Sequence, residues 1–214
     1  MFYDCVDDQY IGCSSTGQES GNIPLKGKYN ETWERARRRW DSLGKTVGSF
    51  DPMYGTAIVA YTDKADLYRD FNTAVREAGK SQNSYDQFAF KYFFFLLTKG
   101  LQAKKTESRC YEVFRGITGI RFTVSDEVVR FGQFASSSLD KKMVQRFGKD
   151  TLFSVKTCYG VPIYDFSYYK DQKEVLIPPY ETFTVINHER IQNGVFIRLE
   201  SRGVFSRFNC GVLN

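Results

Sequence analysis

Three separated segments carry side chains that could do chemistry together. The first, Val113-Phe114-Arg115-Gly116, is an apolar run ending in an arginine and a glycine. A guanidinium presents a rigid fork of donors suited to phosphate or sugar oxygens. A glycine lets the backbone approach a ligand closely. The second, Phe131-Gly132-Gln133-Phe134-Ala135-Ser136-Ser137-Ser138-Leu139, is a strand pattern running into three serines. The third, Asp171-Gln172-Lys173-Glu174-Val175-Leu176-Ile177-Pro178-Pro179, is a polar loop feeding an apolar strand through a glutamate. A carboxylate fixed at such a boundary stabilises positive charge as it develops in a transition state. Each segment also has an ordinary structural explanation. A serine run before a helix caps it, an Arg-Gly pair ends a strand in a turn, and a loop glutamate is solvated.

Composition narrows the chemistry. The chain has 214 residues, 42% of them hydrophobic and 26% charged, with a net charge of +5. That is enough to bury a core without a structural metal. The basic residues are spread along the chain apart from Arg35, Arg37, Arg38 and Arg39, so a nucleic-acid partner is not expected. The single histidine, His188, excludes a zinc site built on several histidines and leaves little room for a histidine base. No metal is expected. The five cysteines, Cys5, Cys13, Cys110, Cys158 and Cys210, form no C-x-x-C pair. Their wide spacing suits long-range disulfides in an oxidising compartment, with one cysteine left over. Asn30-Glu31-Thr32 is a glycosylation sequon, which agrees with a secreted or extracellular location. Neither a signal peptide nor a transmembrane segment stands out.

The elements that must position these groups follow from periodicity. Residues 1–28 read as an irregular polar arm. Asn30–Leu43 is helical, with Trp33, Ala36 and Trp40 recurring at intervals of three and four. Gly55–Thr62 fits helix or strand. Lys64–Ala78 is helical, and Ser84–Lys104 is a long buried helix too broken by charge to span a membrane. From Cys110 the chain turns to short β-rich runs: Cys110–Arg115, Val128–Ser136, Thr151–Thr157, Pro162–Phe166, Val175–Ile177, Glu181–His188, Val195–Glu200 and Phe205–Cys210. A helix is expected over Leu139–Phe147. Helices first and strands after indicate an α+β fold, and no Rossmann or P-loop glycine motif is present.

At the three segments the sequence resembles the vertebrate ecto-mono-ADP-ribosyltransferases, of the arginine–serine–glutamate class. Their pattern is a strand Arg-Gly, an aromatic–x–Ser–Thr/Ser–Ser segment, and a Glu/Gln-x-Glu before an apolar strand and proline. Asp7-Asp8-Gln9-Tyr10, Tyr61-Thr62 and Phe71-Asn72-Thr73-Ala74-Val75-Arg76 also look like the family, so the likeness runs from about Asp7 to Cys210. It implies one catalytic domain over residues 1–214: an arm (1–28), a mainly helical part (29–109) and a mainly β part (110–214). The helical half would pack on a mixed or antiparallel β-sandwich core. It implies NAD as substrate, cleaved at the nicotinamide–ribose bond through an oxocarbenium-like ribose. Glu174 would stabilise that cation. Arg115 and Gly116 would hold phosphate, ribose and the nicotinamide carboxamide. Ser136 would orient Glu174, Phe147 would pack on nicotinamide, and Tyr168 and Tyr169 would face the acceptor. The family pairings correspond to Cys13 with Cys210 and Cys110 with Cys158, leaving Cys5.

One departure bears on the acceptor. Arginine-modifying members carry Glu-x-Glu, and here the first position is Gln172, followed by Lys173. Glutamine offers a guanidinium no charge and no base. Water is then the expected acceptor, and the chain an NAD glycohydrolase. The alternative is ADP-ribosylation of a protein side chain, and a third reading is a silent binding domain on the same scaffold.

Overall fold

The computed structural model describes residues 4–13, 24–63, 66–124, 126–143 and 149–210. They fall into two compact units. One holds Asp4–Thr106, Asp165–Tyr168 and the segment from Ser206; the other holds Glu107–Tyr164 and Tyr169–Phe205.

The first unit is helical: α1 (Asn30–Leu43), α2 (Pro52–Thr62), α3 (Asp66–Ala78), α4 (Gln82–Asp86) and α5 (Lys91–Lys104). α1 buries Trp33, Ala36, Trp40 and Leu43, the face its periodicity marks. The ambiguous Gly55–Thr62 run is helix. Asp51 Oδ1 accepts from the Met53 and Tyr54 N–H groups, and Pro52 occupies the first turn, so α2 starts with a cap. Only glycine fits at position 55, because a Cβ there would lie 2.2 Å from the Trp40 ring. Phe71 of α3 meets Phe93 of α5 edge to face at 4.9 Å. The long helix expected over Ser84–Lys104 is instead two helices parted at Gln87–Phe90. Its aromatic residues lie all round the axis, so the pattern holds no phase that marks the break. The N-terminal arm is irregular but not solvated: Cys5, Val6, Asp7, Asp8 and Tyr10 are buried. Asp7 Oδ1 accepts from the Arg207 and Phe208 N–H groups at 2.8 and 3.1 Å. The Cys13–Cys210 disulfide closes the same arm on the chain's other end.

The second unit is one mixed sheet of eight strands: β1 (Tyr111–Ile117), β2 (Val128–Val129), β3 (Ala135–Ser138), β4 (Thr151–Thr157), β5 (Val161–Pro162), β6 (Glu174–Ile177), β7 (Glu181–Ile191) and β8 (Gly194–Val204). Their order is β2-β7-β8-β4-β1-β3-β6-β5, and among the described strands only β4–β8 is parallel. Val113, Ala135, Phe153, Val155, Val175, Ile177, Phe183, Ile197 and Leu199 form its apolar core. Three expectations need correction. The Val128–Ser136 run is two strands, because Gly132 turns the chain at φ +69°. Of Pro162–Phe166 only Pro162 joins the sheet, as the second residue of β5. Phe205–Cys210 forms no strand; the Asp7 carboxylate takes up two of its N–H groups instead. Of Leu139–Phe147, a 3-10 turn at Lys141–Met143 is described, and residues 144–148 lie outside the described residues.

Candidate active site

β6 is four residues long, wholly buried, and held between β3 and β5. Its first residue, Glu174, is 8% exposed. Register places it opposite Ser138 of β3. Ser138 is in turn opposite Phe114 of β1, Phe114 opposite Ser154 of β4, and Ser154 opposite Arg198 of β8. Paired residues share a face. Glu174, Ser138, Phe114, Ser154 and Arg198 therefore make a transverse row on the face opposite the Val113–Val155–Val175 core.

The approach to Glu174 is tightly built. Lys170–Gln172 is a 3-10 turn, and Lys173 follows it in the left-handed region at φ 45°, ψ 47°. The Ser138 hydroxyl donates to the Gln172 carbonyl at 2.7 Å and accepts the Asp140 N–H at 3.0 Å. The Leu139 N–H donates to the Lys173 carbonyl at 3.1 Å. From the other flank, the Ile163 N–H donates to the Glu174 carbonyl at 2.9 Å. Lys173 pays conformational strain to turn the chain abruptly into β6, and these bonds keep it there.

The three serines are themselves a strand, not a helix cap. Ser136 lies on the Glu174 face but is paired with Leu176; Ser138 is the serine in register with the carboxylate. Ser137 points the other way and donates to the Val175 carbonyl at 2.7 Å. Arg115 is half-buried and paired with Phe153 of the apolar core, so strand alternation starts its side chain on the face opposite the Glu174 row. The β1–β3 ladder is limited to Phe114 and Ser138, and beyond it the Arg115 Nη1 donates to the Ser136 carbonyl. Arg115 Nε is buried without a hydrogen-bond partner among the described residues. Gly116 is buried opposite Leu152.

Gln172 is half-buried, its N–H bonded to the Tyr169 carbonyl at 3.1 Å. Tyr169 is half-buried in the sheet unit. Tyr168 belongs to the helical unit: its N–H donates to Thr62 Oγ1 at 3.4 Å, and its hydroxyl is buried without a partner among the described residues. Burial pushes the Tyr168 pKa up, aided by Asp63 and opposed by Arg35, Arg39 and Arg38. Phe147 lies outside the described residues. Both cysteine pairs are disulfides, and Cys5 is buried outside them. His188 is exposed on β7, and no group of metal-ligating side chains occurs among the described residues. Sequence reasoning missed Ser138 and Phe114 as neighbours of Glu174, since only strand register reveals them.

Comparison with known proteins fits this geometry. Residues 1–206 match the family described as "NAD:arginine ADP-ribosyltransferase". The chain is 41% identical over 220 residues to the NAD(P)(+)--arginine ADP-ribosyltransferase 2 of Gallus gallus, covering 97% of this chain and 70% of the relative. It is 38% identical to the GPI-linked NAD(P)(+)--arginine ADP-ribosyltransferase 1 of Homo sapiens, covering 95% and 71%. The crystal structure of the eukaryotic mono-ADP-ribosyltransferase ART2.2 superposes with a TM-score of 0.82 at 38% identity, covering 98% of this chain and 96% of that one. The chain belongs to the NAD:arginine ADP-ribosyltransferase family.

Proposed function

We propose that this chain is a mono-ADP-ribosyltransferase that cleaves NAD and transfers ADP-ribose to an arginine side chain. The observation that carries the reading is Glu174: an almost fully buried carboxylate at a strand start, fixed from both flanks, in a chain about 40% identical to arginine-modifying enzymes over nearly its whole length. In the proposed reaction the bond from ribose C1′ to the nicotinamide nitrogen breaks, and its electron pair leaves with nicotinamide as a neutral base. The cationic ribose forms beside Glu174, whose charge stabilises it. A guanidino nitrogen then attacks C1′ and loses its proton to solvent.

Arg115 is the proposed ligand of the pyrophosphate or ribose. Its Nη1 is anchored on Ser136 and its Nε is left with a bond to make. Gly116 is proposed to give its backbone to the carboxamide, Phe147 to pack on the nicotinamide ring, and Ser136 to help orient Glu174. Gln172, Tyr168 and Tyr169 are the proposed acceptor-side residues. Relatives are named GPI-linked or ecto-enzymes, and two disulfides suit the same setting, so we place this activity on the extracellular surface.

A second reading is favoured by one residue. Gln172 offers an acceptor guanidinium no charge, which favours water and hence NAD glycohydrolysis. Incubation with labelled NAD and agmatine, a soluble guanidino acceptor, separates the two. Transfer predicts a labelled guanidino adduct. Nicotinamide release with only free ADP-ribose refutes transfer and supports hydrolysis. No release at all refutes both.

A further inference from the structure

We infer that Glu181 is a positioning residue for Glu174. The inference rests on the reading of Glu174 as the catalytic carboxylate. Glu181 opens β7 and is fully buried. Its Oε1 accepts from the Cys158 N–H at 2.8 Å, the Tyr159 N–H at 3.1 Å and the Ser201 hydroxyl at 2.6 Å. Its Oε2 accepts from the Thr157 hydroxyl at 2.5 Å. Thr157 Oγ1 in turn accepts the Gly160 N–H at 2.8 Å. One carboxylate thus ties down, directly or through Thr157, the N–H groups of three successive residues in the turn between β4 and β5. The turn closes tightly on it: a Cβ at Gly160 would lie 2.7 Å from Thr157 Oγ1.

That turn delivers β5, and β5 is the outer support of the catalytic strand. Val161 pairs with Leu176 and Pro162 with Val175, and the Ile163 N–H then reaches the Glu174 carbonyl at 2.9 Å. A two-residue edge strand has too few bonds to fix its own place. Its position is inherited from the turn, and the turn's shape is set by Glu181 together with the Cys110–Cys158 disulfide. On the other side of Glu174, β3 is one strand among five that hydrogen-bond onward across the sheet to β7. The Glu181 turn therefore governs the weaker flank of Glu174. Burial pushes the Glu181 pKa up, although all four donors pull it down. A buried carboxyl with this many partners, bonded to none of the proposed substrate-binding residues among the described ones, has geometry to set rather than chemistry to do.

The test uses Glu181→Gln, which keeps the volume, and Thr157→Val, which removes only the hydroxyl between Glu181 and Gly160. Affinity for NAD is measured by calorimetry, which also gives the binding-competent fraction, and kcat for nicotinamide release is measured per competent site. Positioning predicts a kcat at least tenfold lower in both variants with the NAD dissociation constant within twofold of wild type. A purely structural role would change the competent fraction and leave kcat per site alone. If either folded variant keeps its kcat within twofold, the inference is overturned. If Glu174→Gln also retains wild-type kcat, the fault lies in the reading of Glu174 itself.

Discussion

Replacing Gln172 with Glu alters one side-chain end on a backbone that is already fixed. The Gln172 N–H bonds Tyr169, and its carbonyl receives the Ser138 hydroxyl. The new charge should therefore appear without moving Glu174. A carboxylate and a guanidinium 4 Å apart attract by about 4 kcal/mol at an effective dielectric of 20. Fully exposed pairs yield only about 0.2–1 kcal/mol. Position 172 is half-buried, so the gain lies between, at about 1–2 kcal/mol. Lys173 is exposed and subtracts little from it. That energy corresponds to a rise of about 5- to 30-fold in kcat/KM for transfer to agmatine. Formation of the guanidino adduct and of free ADP-ribose is followed in the same reaction. The ratio of adduct to free ADP-ribose should rise by that factor in the variant. An unchanged ratio, or an equal rise in both products, would refute the placing of Gln172 on the acceptor side.

Other consequences can be checked on stability alone. Burial raises the pKa of Glu181 in the folded state above its ordinary value of 4.5, so the folded chain holds that proton more tightly than the unfolded one. The associated stability is complete below that value and is lost as pH rises through the folded pKa. In chemical denaturation, the stability of wild type relative to Glu181→Gln should shrink between pH 4 and pH 7, and a growing difference would contradict the assignment. Lys173→Gly removes a left-handed strain of about 1–2 kcal/mol while adding about 0.5–1 kcal/mol of unfolded-chain entropy. Its melting temperature should stay level or rise, and a fall of several degrees would show that Lys173 contributes something besides its backbone. The Cys13–Cys210 bridge closes a loop of 197 residues, worth about 5 kcal/mol on the chain-entropy account. Cys210→Ser should lower the melting temperature by about 10–20 °C, and a drop under 2 °C would mean that the buried Asp7 contacts hold the termini unaided.

Local pattern made part of this molecule legible and long-range pairing hid the rest. α1 has the bounds its Trp33–Ala36–Trp40 spacing predicts, and β4 begins and ends where the Thr151–Thr157 alternation does. The break between α4 and α5 was hidden because Phe88 to Leu97 is apolar on every side and carries no phase. The full reach of β7 and β8 was hidden because each ends in an exposed stretch that pairs with the buried start of the other, His188–Ile191 with Gly194–Ile197 and Ser201–Val204 with Glu181–Phe183. In the proposed site, Glu174 and Arg115 stand out in the sequence by residue type and flanking pattern, and their proposed roles follow from the family resemblance. Ser138 was not, because three serines in a row differ only in the face they take, and that is decided by a partner strand more than 30 residues away. Glu181 was legible only as the first residue of a strand. That it is buried and takes four hydrogen bonds depends on β4 and β8 arriving beside it.

Glu174 is the group proposed to stabilise the ribose cation. Nicotinamide release from NAD by Glu174→Gln tests this most directly, measured beside NAD affinity for the same preparation. The variant keeps the shape of the side chain and removes its charge. The account predicts release slowed by about 10²- to 10³-fold, with NAD still bound at near wild-type affinity. Release at the wild-type rate would contradict it.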